Sequence, residues 1–250
     1  MKIVVIGGTG LIGSQVVGIL RDQGHEAVAA SPSSGVDSTT GEGLADVLAG
    51  AQVVVDVTNP PVFTPDGVMA FFTSSGRNLA EAEVAAGVGH HVALSIVGLD
   101  RAGDDAFYLK GKAAQEKQIR ASGVPYTIVR ATQFFEFLKG IADSSTVGDE
   151  VRVTSKTLQP LAAAEVAAYV AEVAVAQPVN GIVEIAGPER LPLAEAVRQR
   201  LAALGDPRKV VDDDSAPYFG SVIGDDTLVP GNEPHRTGKI TFAEWLAAQS

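Results

Sequence analysis

The run Gly7-Gly8-Thr9-Gly10-Leu11-Ile12-Gly13 follows directly on the apolar stretch Ile3-Val4-Val5-Ile6 and opens a segment where Ile12, Val16, Ile19 and Leu20 recur at helical spacing. This strand, turn and helix constrain the chain more than any other feature in it. Gly7 permits a tight exit from a buried strand, Gly10 lets a diphosphate approach bare backbone, and Gly13 lets the helix lie close on the sheet. Amides at a helix start lack intrahelical partners and sit at the positive end of the helix dipole, which suits an anion. Gly7, Thr9, Gly10, Leu11, Ile12 and Gly13 therefore read as a dinucleotide cradle. A kinase-like P-loop is excluded, because no Gly-Lys-Ser/Thr ending follows.

Short β-branched runs near Ile3–Ile6, Glu26–Ala30, Val53–Val57, His91–Ile96, Tyr126–Arg130 and Ile182–Ile185 alternate with amphipathic stretches. That alternation predicts an α/β fold: a doubly wound, mostly parallel Rossmann sheet with helices on both faces and a small C-terminal substrate-facing region. Residues 1–250 read as one dinucleotide-binding domain, with substrate-facing segments within 133–165 and 186–235. A helix over 67–86 is expected to break or loop at Ser74-Ser75-Gly76. Pro160, the stretch 187–193 and the Gly, Pro and Asp content of 206–237 read as loops around shorter elements, with a final amphipathic piece at Phe242–Leu246.

With 19 basic against 30 acidic residues, the net charge of −11 opposes the counterion release on which nucleic-acid binding depends, and an anionic membrane is disfavoured for the same reason. The absence of cysteine removes disulfides, thiolate metal sites and cysteine nucleophiles together. No apolar run is long enough for a membrane span or a secretion signal, so a cytoplasmic protein is expected. His90-His91 reads as a polar strand start, since neighbours on a strand face opposite ways; no metal is expected. Asp212-Asp213-Asp214 reads as an exposed linker, and Trp245 as packing or an interface.

The second strand ends Ala29-Ala30-Ser31-Pro32-Ser33-Ser34, with no carboxylate to grip a ribose 2′-hydroxyl and no Arg or Lys to hold a 2′-phosphate. Ser31, Ser33 and Ser34 can donate to such a phosphate, which favours NADP over NAD; an ordinary polar turn has the same composition.

Tyr108 and Lys112 stand four apart in Phe107–Ala121, which reads as helix, so both project from nearly one face. Ser95 ends the preceding strand, where open α/β sheets place ligands. A phenol beside an ammonium is a better acid–base group. In that reading Tyr108 protonates a carbonyl oxygen, Ser95 hydrogen-bonds it, and Lys112 holds the nicotinamide ribose and biases the tyrosine. A packed tyrosine and a solvated lysine would give the same spacing. Gln133, Phe134 and Phe135, after the strand ending at Arg130, are candidates for substrate contact, as are Phe137 and the segment around Tyr218-Phe219; core packing accounts equally well for any single aromatic.

The chain resembles the short-chain dehydrogenase/reductase superfamily, in particular its atypical, NmrA-like branch. The resemblance rests on Gly7 to Gly13, on Leu94-Ser95-Ile96-Val97-Gly98, on Tyr108-Leu-Lys-Gly-Lys112 leading into Ala-Ala-Gln-Glu116, and on Val124-Pro-Tyr-Thr-Ile-Val-Arg130-Ala-Thr-Gln133-Phe134-Phe135. It implies roles for Ser95, Tyr108 and Lys112 like those above, contact of Asp37 with the adenine amino group, and a cofactor lining of Val57, Thr58 and Asn59. It further implies an NAD(P)H-dependent oxidoreductase passing hydride to a small carbonyl or quinone-like substrate. Relatives of two other kinds keep the fold: dinucleotide-binding regulators without turnover, and nucleotide-sugar epimerases or dehydratases. The sequence leaves the oligomeric state open.

Overall fold

The computed structural model describes residues 1–101, 103, 105–231 and 235–249; part of the substrate-facing stretch expected within 186–235 lies outside them. In chain order the elements are β1 (Lys2–Ile6), α1 (Leu11–Asp22), β2 (Glu26–Ala30), α2 (Leu44–Leu48), β3 (Val53–Asp56), α3 (Pro65–Ala86), β4 (His90–Ile96), α4 (Phe107–Ala121) and β5 (Tyr126–Ala131). There follow α5 (Leu138–Ser144), β6 (Thr146–Val147), β7 (Glu150–Val153), β8 (Thr157–Leu158), α6 (Ala163–Val175), β9 (Gly181–Ala186), β10 (Leu191–Pro192), α7 (Leu193–Ala203), β11 (Lys209–Asp212), β12 (Arg236–Thr237) and α8 (Phe242–Ala247). A seven-stranded sheet has the order β12-β9-β5-β4-β3-β1-β2, the doubly wound Rossmann arrangement expected.

The chain divides into two compact units. The first comprises Met1–Ser95, Lys110–Arg130 and Val166–Val183. Its strands β1 and β3 are apolar without alternation and buried at nearly every position, because a parallel sheet is covered on both faces. β1 pairs in parallel with β2 on one side and β3 on the other. The chain thus winds outward in opposite directions from β1 and β3, and their carboxyl ends flank a topological switch point.

α1 lies on the glycine turn at backbone contact: a Cβ added at Gly13 would stand 2.2 Å from the Gly7 carbonyl oxygen. α3 differs from expectation, running unbroken from a Thr64 cap to Ala86. Its Ser74-Ser75-Gly76 stretch marks close approach instead. Ser75 Oγ donates to Ser38 Oγ at 2.9 Å, and a Cβ at Gly76 would stand 2.5 Å from Gln118 Oε1 of α4.

The histidine pair opens β4 as expected, but both rings are buried rather than turned to solvent. They face opposite ways, His90 Nε2 meeting Thr127 Oγ1 at 2.9 Å and His91 Nδ1 meeting Glu83 at 2.7 Å. Burial, with His91 as a second cause, pushes His90 down to about 4. For His91 burial acts in the same sense, but the Glu83 carboxylate overrides it and raises the imidazole above its ordinary value.

The second unit comprises Ile96–Leu109, Ala131–Glu165 and Glu184–Ser250. It is more regular than its Gly, Pro and Asp content suggests. β7 pairs antiparallel with β6 and parallel with β11, β8 pairs antiparallel with β10, and α5, α7 and α8 pack around a core that includes Phe135, Leu138, Val197, Tyr218, Phe242 and Trp245. Trp245 serves packing here, with its indole N–H donating to Glu136 at 3.1 Å. The aspartate run is no linker. Asp212 ends β11 and pairs with Arg198 at 2.7 Å, Asp213 accepts from Ser215, and Asp214 accepts from Thr154 Oγ1 and the Ser155 backbone, each at 2.9 Å. Among the described residues no helix is long and apolar enough to cross a membrane.

Two stability measurements follow from the first unit. Gly13→Ala forces the α1 backbone off the turn and costs roughly 1–3 kcal/mol, read as a thermal midpoint lowered by about 3–10 °C. Because the folded state holds His90 neutral down to about pH 4 while the unfolded chain protonates near 6.5, unfolding takes up a proton in that window and stability falls as pH drops through it. Denaturant titrations at stepped pH should show His90→Gln removing a loss of up to about 3 kcal/mol between pH 6.5 and 4.

Candidate functional site

The glycine turn lies at the switch point, against the end of β3. Gly7 has φ +80°, and a Cβ there would stand 3.1 Å from the Val57 carbonyl and 3.2 Å from the Thr58 nitrogen. The first unit therefore brings together two predicted cofactor segments, residues 7–13 and 57–59. No side chain caps α1, whose first turn follows Gly10 directly. Packing requires glycine at Gly8 as well, where a Cβ would meet Ala29 Cα and Val5 O at 2.7 Å, a role the sequence reading overlooked.

Gly10 is the exception in this turn. It is exposed with an ordinary φ of −79°, and the only atom near an added Cβ is the Gly7 oxygen at 3.3 Å. That contact is tight but far milder than those at Gly8 and Gly13. A bare backbone over unpaired helix amides fits a diphosphate lying on the turn.

Beyond β2, Ser31 is buried and its hydroxyl meets Ser33 Oγ at 2.8 Å, while Ser34 Oγ donates to the Ser31 carbonyl at 2.9 Å and accepts from the Ser31 N–H at 3.0 Å. The three serines form a short capped turn, with Ser33 and Ser34 exposed. Asp37 is half-buried and accepts from both Thr39 Oγ1 (2.6 Å) and the Thr39 N–H (2.7 Å). The Thr39 hydroxyl bond holds its carboxyl below the ordinary range.

Ser95 and Lys112 both belong to the first unit, and neither is solvated. Ser95 Oγ donates its single proton to Glu116 Oε1 at 2.7 Å, so in this arrangement it has only lone pairs to offer a ligand, whereas the sequence reading makes it a donor. Glu116 is buried, and Arg130 binds it through both Nε and Nη2 at 2.9 Å, with Arg120 at 2.7 Å. Burial pushes this carboxyl up, but the bonds from Arg130 and Ser95 outweigh it and hold it below its usual value. Lys112 Nζ donates to the Leu94 carbonyl at 2.7 Å and to Gln115 Oε1, and lies 4.6 Å from the centre of the Phe72 ring. Burial draws its ammonium down to about 8 against the pull of Asp56 and Glu116.

Tyr108, one turn before Lys112 on α4, belongs to the second unit, where it packs on Phe219 with ring centres 5.3 Å apart. Desolvation raises its phenol above the ordinary value of 10, the reverse of the lowering that a neighbouring ammonium predicts. Phe219 and Gly220 turn the chain between Tyr218 and Ser221, and Phe219 takes a left-handed φ of 45°. Gln133 donates to the Tyr218 hydroxyl and accepts from the Phe134 N–H. Phe134 stacks on the partly exposed Phe137 at 5.3 Å. Phe135 departs from its expected role: it is wholly buried between Phe242 and Trp245, at 5.1 and 5.4 Å, and is core rather than substrate contact.

Asp56, Gln115 and Glu116 were missed as site residues. The available signal was their spacing, since Gln115 and Glu116 stand three and four residues beyond Lys112, on the same helical face.

The profile of the NAD(P)H-binding family matches residues 7–177. A (4-alkanoyl-5-oxo-2,5-dihydrofuran-3-yl)methyl phosphate reductase of Streptomyces griseus is 31% identical over 144 residues, covering 53% of this chain and 48% of the relative. A photosystem II assembly factor of Cyanophora paradoxa is 26% identical over 174 residues, covering 62% and 54%. The chain thus spans about half the length of the curated relatives it matches. Among solved structures, MoeE5 in complex with UDP-glucose and NAD superposes with a TM-score of 0.77 at 18% identity, covering 100% of this chain and 97% of the other. A short-chain dehydrogenase/reductase superfamily protein of Agrobacterium tumefaciens with bound NAD gives 0.71 at 17%, covering 99% and 95%. The bare glycine turn at the switch point and the family match over two thirds of the length agree: the chain belongs to the NAD(P)H-binding family.

Proposed function

We propose that the chain is an NAD(P)H-dependent oxidoreductase that reduces a small carbonyl or quinone-like compound in the cytoplasm, as a single dinucleotide-binding domain. The observation that carries this reading is Gly10, exposed and bare at the head of α1, where packing constrains the residue less than at Gly7, Gly8 or Gly13. Gly7, Thr9, Gly10, Leu11, Ile12 and Gly13 would hold the diphosphate, Asp37 would accept from the adenine amino group, and Val57, Thr58 and Asn59 would line the crevice. Ser31, Ser33 and Ser34 favour NADP, with NAD as the alternative, since no acid stands there to repel a 2′-phosphate. Similarity to a curated reductase supports the reductive direction.

A reduced nicotinamide bound in this crevice supplies hydride. The chain's own residues do the rest. Lys112 holds the nicotinamide ribose with the ammonium donor left over from Leu94 and Gln115. Tyr108, kept protonated at neutral pH by burial, gives its proton to the carbonyl oxygen. Ser95 joins by rotating its hydroxyl from Glu116 to that oxygen. Gln133 and Phe134 shape the substrate side. One observation favours a second reading, a dinucleotide-responsive regulator without turnover: the Ser95 proton is already committed to a buried carboxylate.

Calorimetry with NADPH and NADH tests the cradle. Gly10→Glu should weaken binding at least about 100-fold, the cost of a carboxylate where a diphosphate must lie, while lowering the thermal midpoint less than Gly13→Ala does. Unaltered binding would remove the basis of the proposal. Incubation with NADPH and a panel of quinones, aldehydes and ketones tests the chemistry: sustained oxidation should fall about 10²–10⁴-fold in Tyr108→Phe with NADPH affinity retained. Tight binding with silence across the panel would favour the regulator.

A further inference from the structure

Lys112 carries its charge into the interior of the first unit, with only 3% of its surface exposed. Two of its three N–H donors turn inward, to the Leu94 carbonyl and to Gln115 Oε1. Gln115, itself 2% exposed, passes the interaction on, its Nε2 donating to Asp56 Oδ2 at 2.7 Å. The other oxygen of Asp56 accepts from the Thr58 N–H at 3.0 Å and the Thr58 hydroxyl at 2.6 Å. An unbroken polar line therefore runs from the loop after β3, at the floor of the crevice, through Asp56 and Gln115 to the ammonium on α4.

The amide in the middle has a direction. A carboxylate at 56 accepts only, so Gln115 must present its N–H₂ to Asp56 and its oxygen to Lys112; the reverse orientation would set donor against donor and acceptor against acceptor. The charged groups around the ammonium narrow its counterion further. Glu116, on its own helix, is engaged by Arg130 of β5 and Arg120 of α4. α3 contributes the Phe72 ring. His91 of β4 and Glu83 of α3 line a small cavity with Asp56 and Gln115, and are bonded to each other at 2.7 Å. Both Asp56 and Glu116 thus pull on the ammonium, and Asp56 is the one tied to it by hydrogen bonds, through Gln115.

We propose that Asp56 and Gln115 are positioning residues that keep Lys112 protonated and aimed, and that tie it through Thr58 to the floor of the dinucleotide crevice. The inference rests on Lys112 facing the dinucleotide, as proposed above. Asp56→Asn removes the charge and also lets the Gln115 amide reverse, turning N–H₂ toward the ammonium. Both changes disfavour protonation of Lys112.

The test follows the lysine itself, in protein labelled with ¹⁵N at lysine Nζ, with the signal identified by its loss in Lys112→Arg. The wild-type ammonium should titrate near the value of about 8 to which burial draws it. In Asp56→Asn and in Gln115→Met the midpoint should fall by about one pH unit or more. Calorimetric NADPH affinity at pH 7.5 should weaken about threefold or more in both variants, with the weakening setting in at lower pH than in the wild type. A midpoint that stays in place in a variant with native circular dichroism would overturn the proposal. Should Asp56→Asn not fold, Gln115→Met, apolar and of similar length, carries the same test. If the midpoint moves as expected but the wild type binds no dinucleotide, the coupling stands and the dinucleotide reading falls.

Discussion

The contact on which the rest of this structure depends is that between the backbone of α1 at Gly13 and the carbonyl of Gly7. Only a hydrogen atom fits in the gap, since a Cβ at Gly13 would come within 2.2 Å of that oxygen. Bringing the helix this near fixes where its first amides point, and the same turn, through Gly7, sits on Val57 and Thr58. From Thr58 the constraint continues into side chains: Asp56, Gln115 and Lys112 follow by hydrogen bonds. Position is thus transmitted from a steric contact at the head of one helix to an ammonium on another.

The first unit buries charge with partners chosen by geometry. Glu116 with Arg130 and Arg120, His91 with Glu83, and Lys112 with Asp56 through an amide each place a titratable group out of water beside an opposing one. Such pairs return little net stability, because desolvation cancels most of the attraction, but breaking one strands a charge and is costly. They therefore act chiefly on conformation. Ser95 illustrates this, its hydroxyl direction being dictated by a carboxylate that two arginines hold in place.

Much of the first unit was legible in the sequence because its signals are local. Apolar runs such as Val53-Val54-Val55 can only be covered strands, and the glycine turn announces itself through spacing and context. Where the reading failed, the deciding contact was distant along the chain. Ser74-Ser75-Gly76 looks like a helix break until Ser38 and Gln118 are seen to need small residues opposite them. Asp212 and Asp214 are exposed, as their composition suggests, but Arg198 and Thr154 bind them into the fold instead of leaving them a linker. Phe135 follows a strand end, yet Phe242 and Trp245, more than a hundred residues later, enclose it. The Asp56–Gln115 bond spans fifty-nine positions and leaves no periodic trace.

Phe219 adds a consequence of its own. A bulky residue in the left-handed region costs on the order of 1–3 kcal/mol, and the neighbouring turn position is glycine, the residue type that would relieve it. Asparagine or glycine would relax the hairpin but would forfeit the packing of the ring on Tyr218, on Tyr108 and on the core of the second unit. A relaxed backbone and an enclosed phenol are here competing demands on one residue, and the sequence retains the strained aromatic.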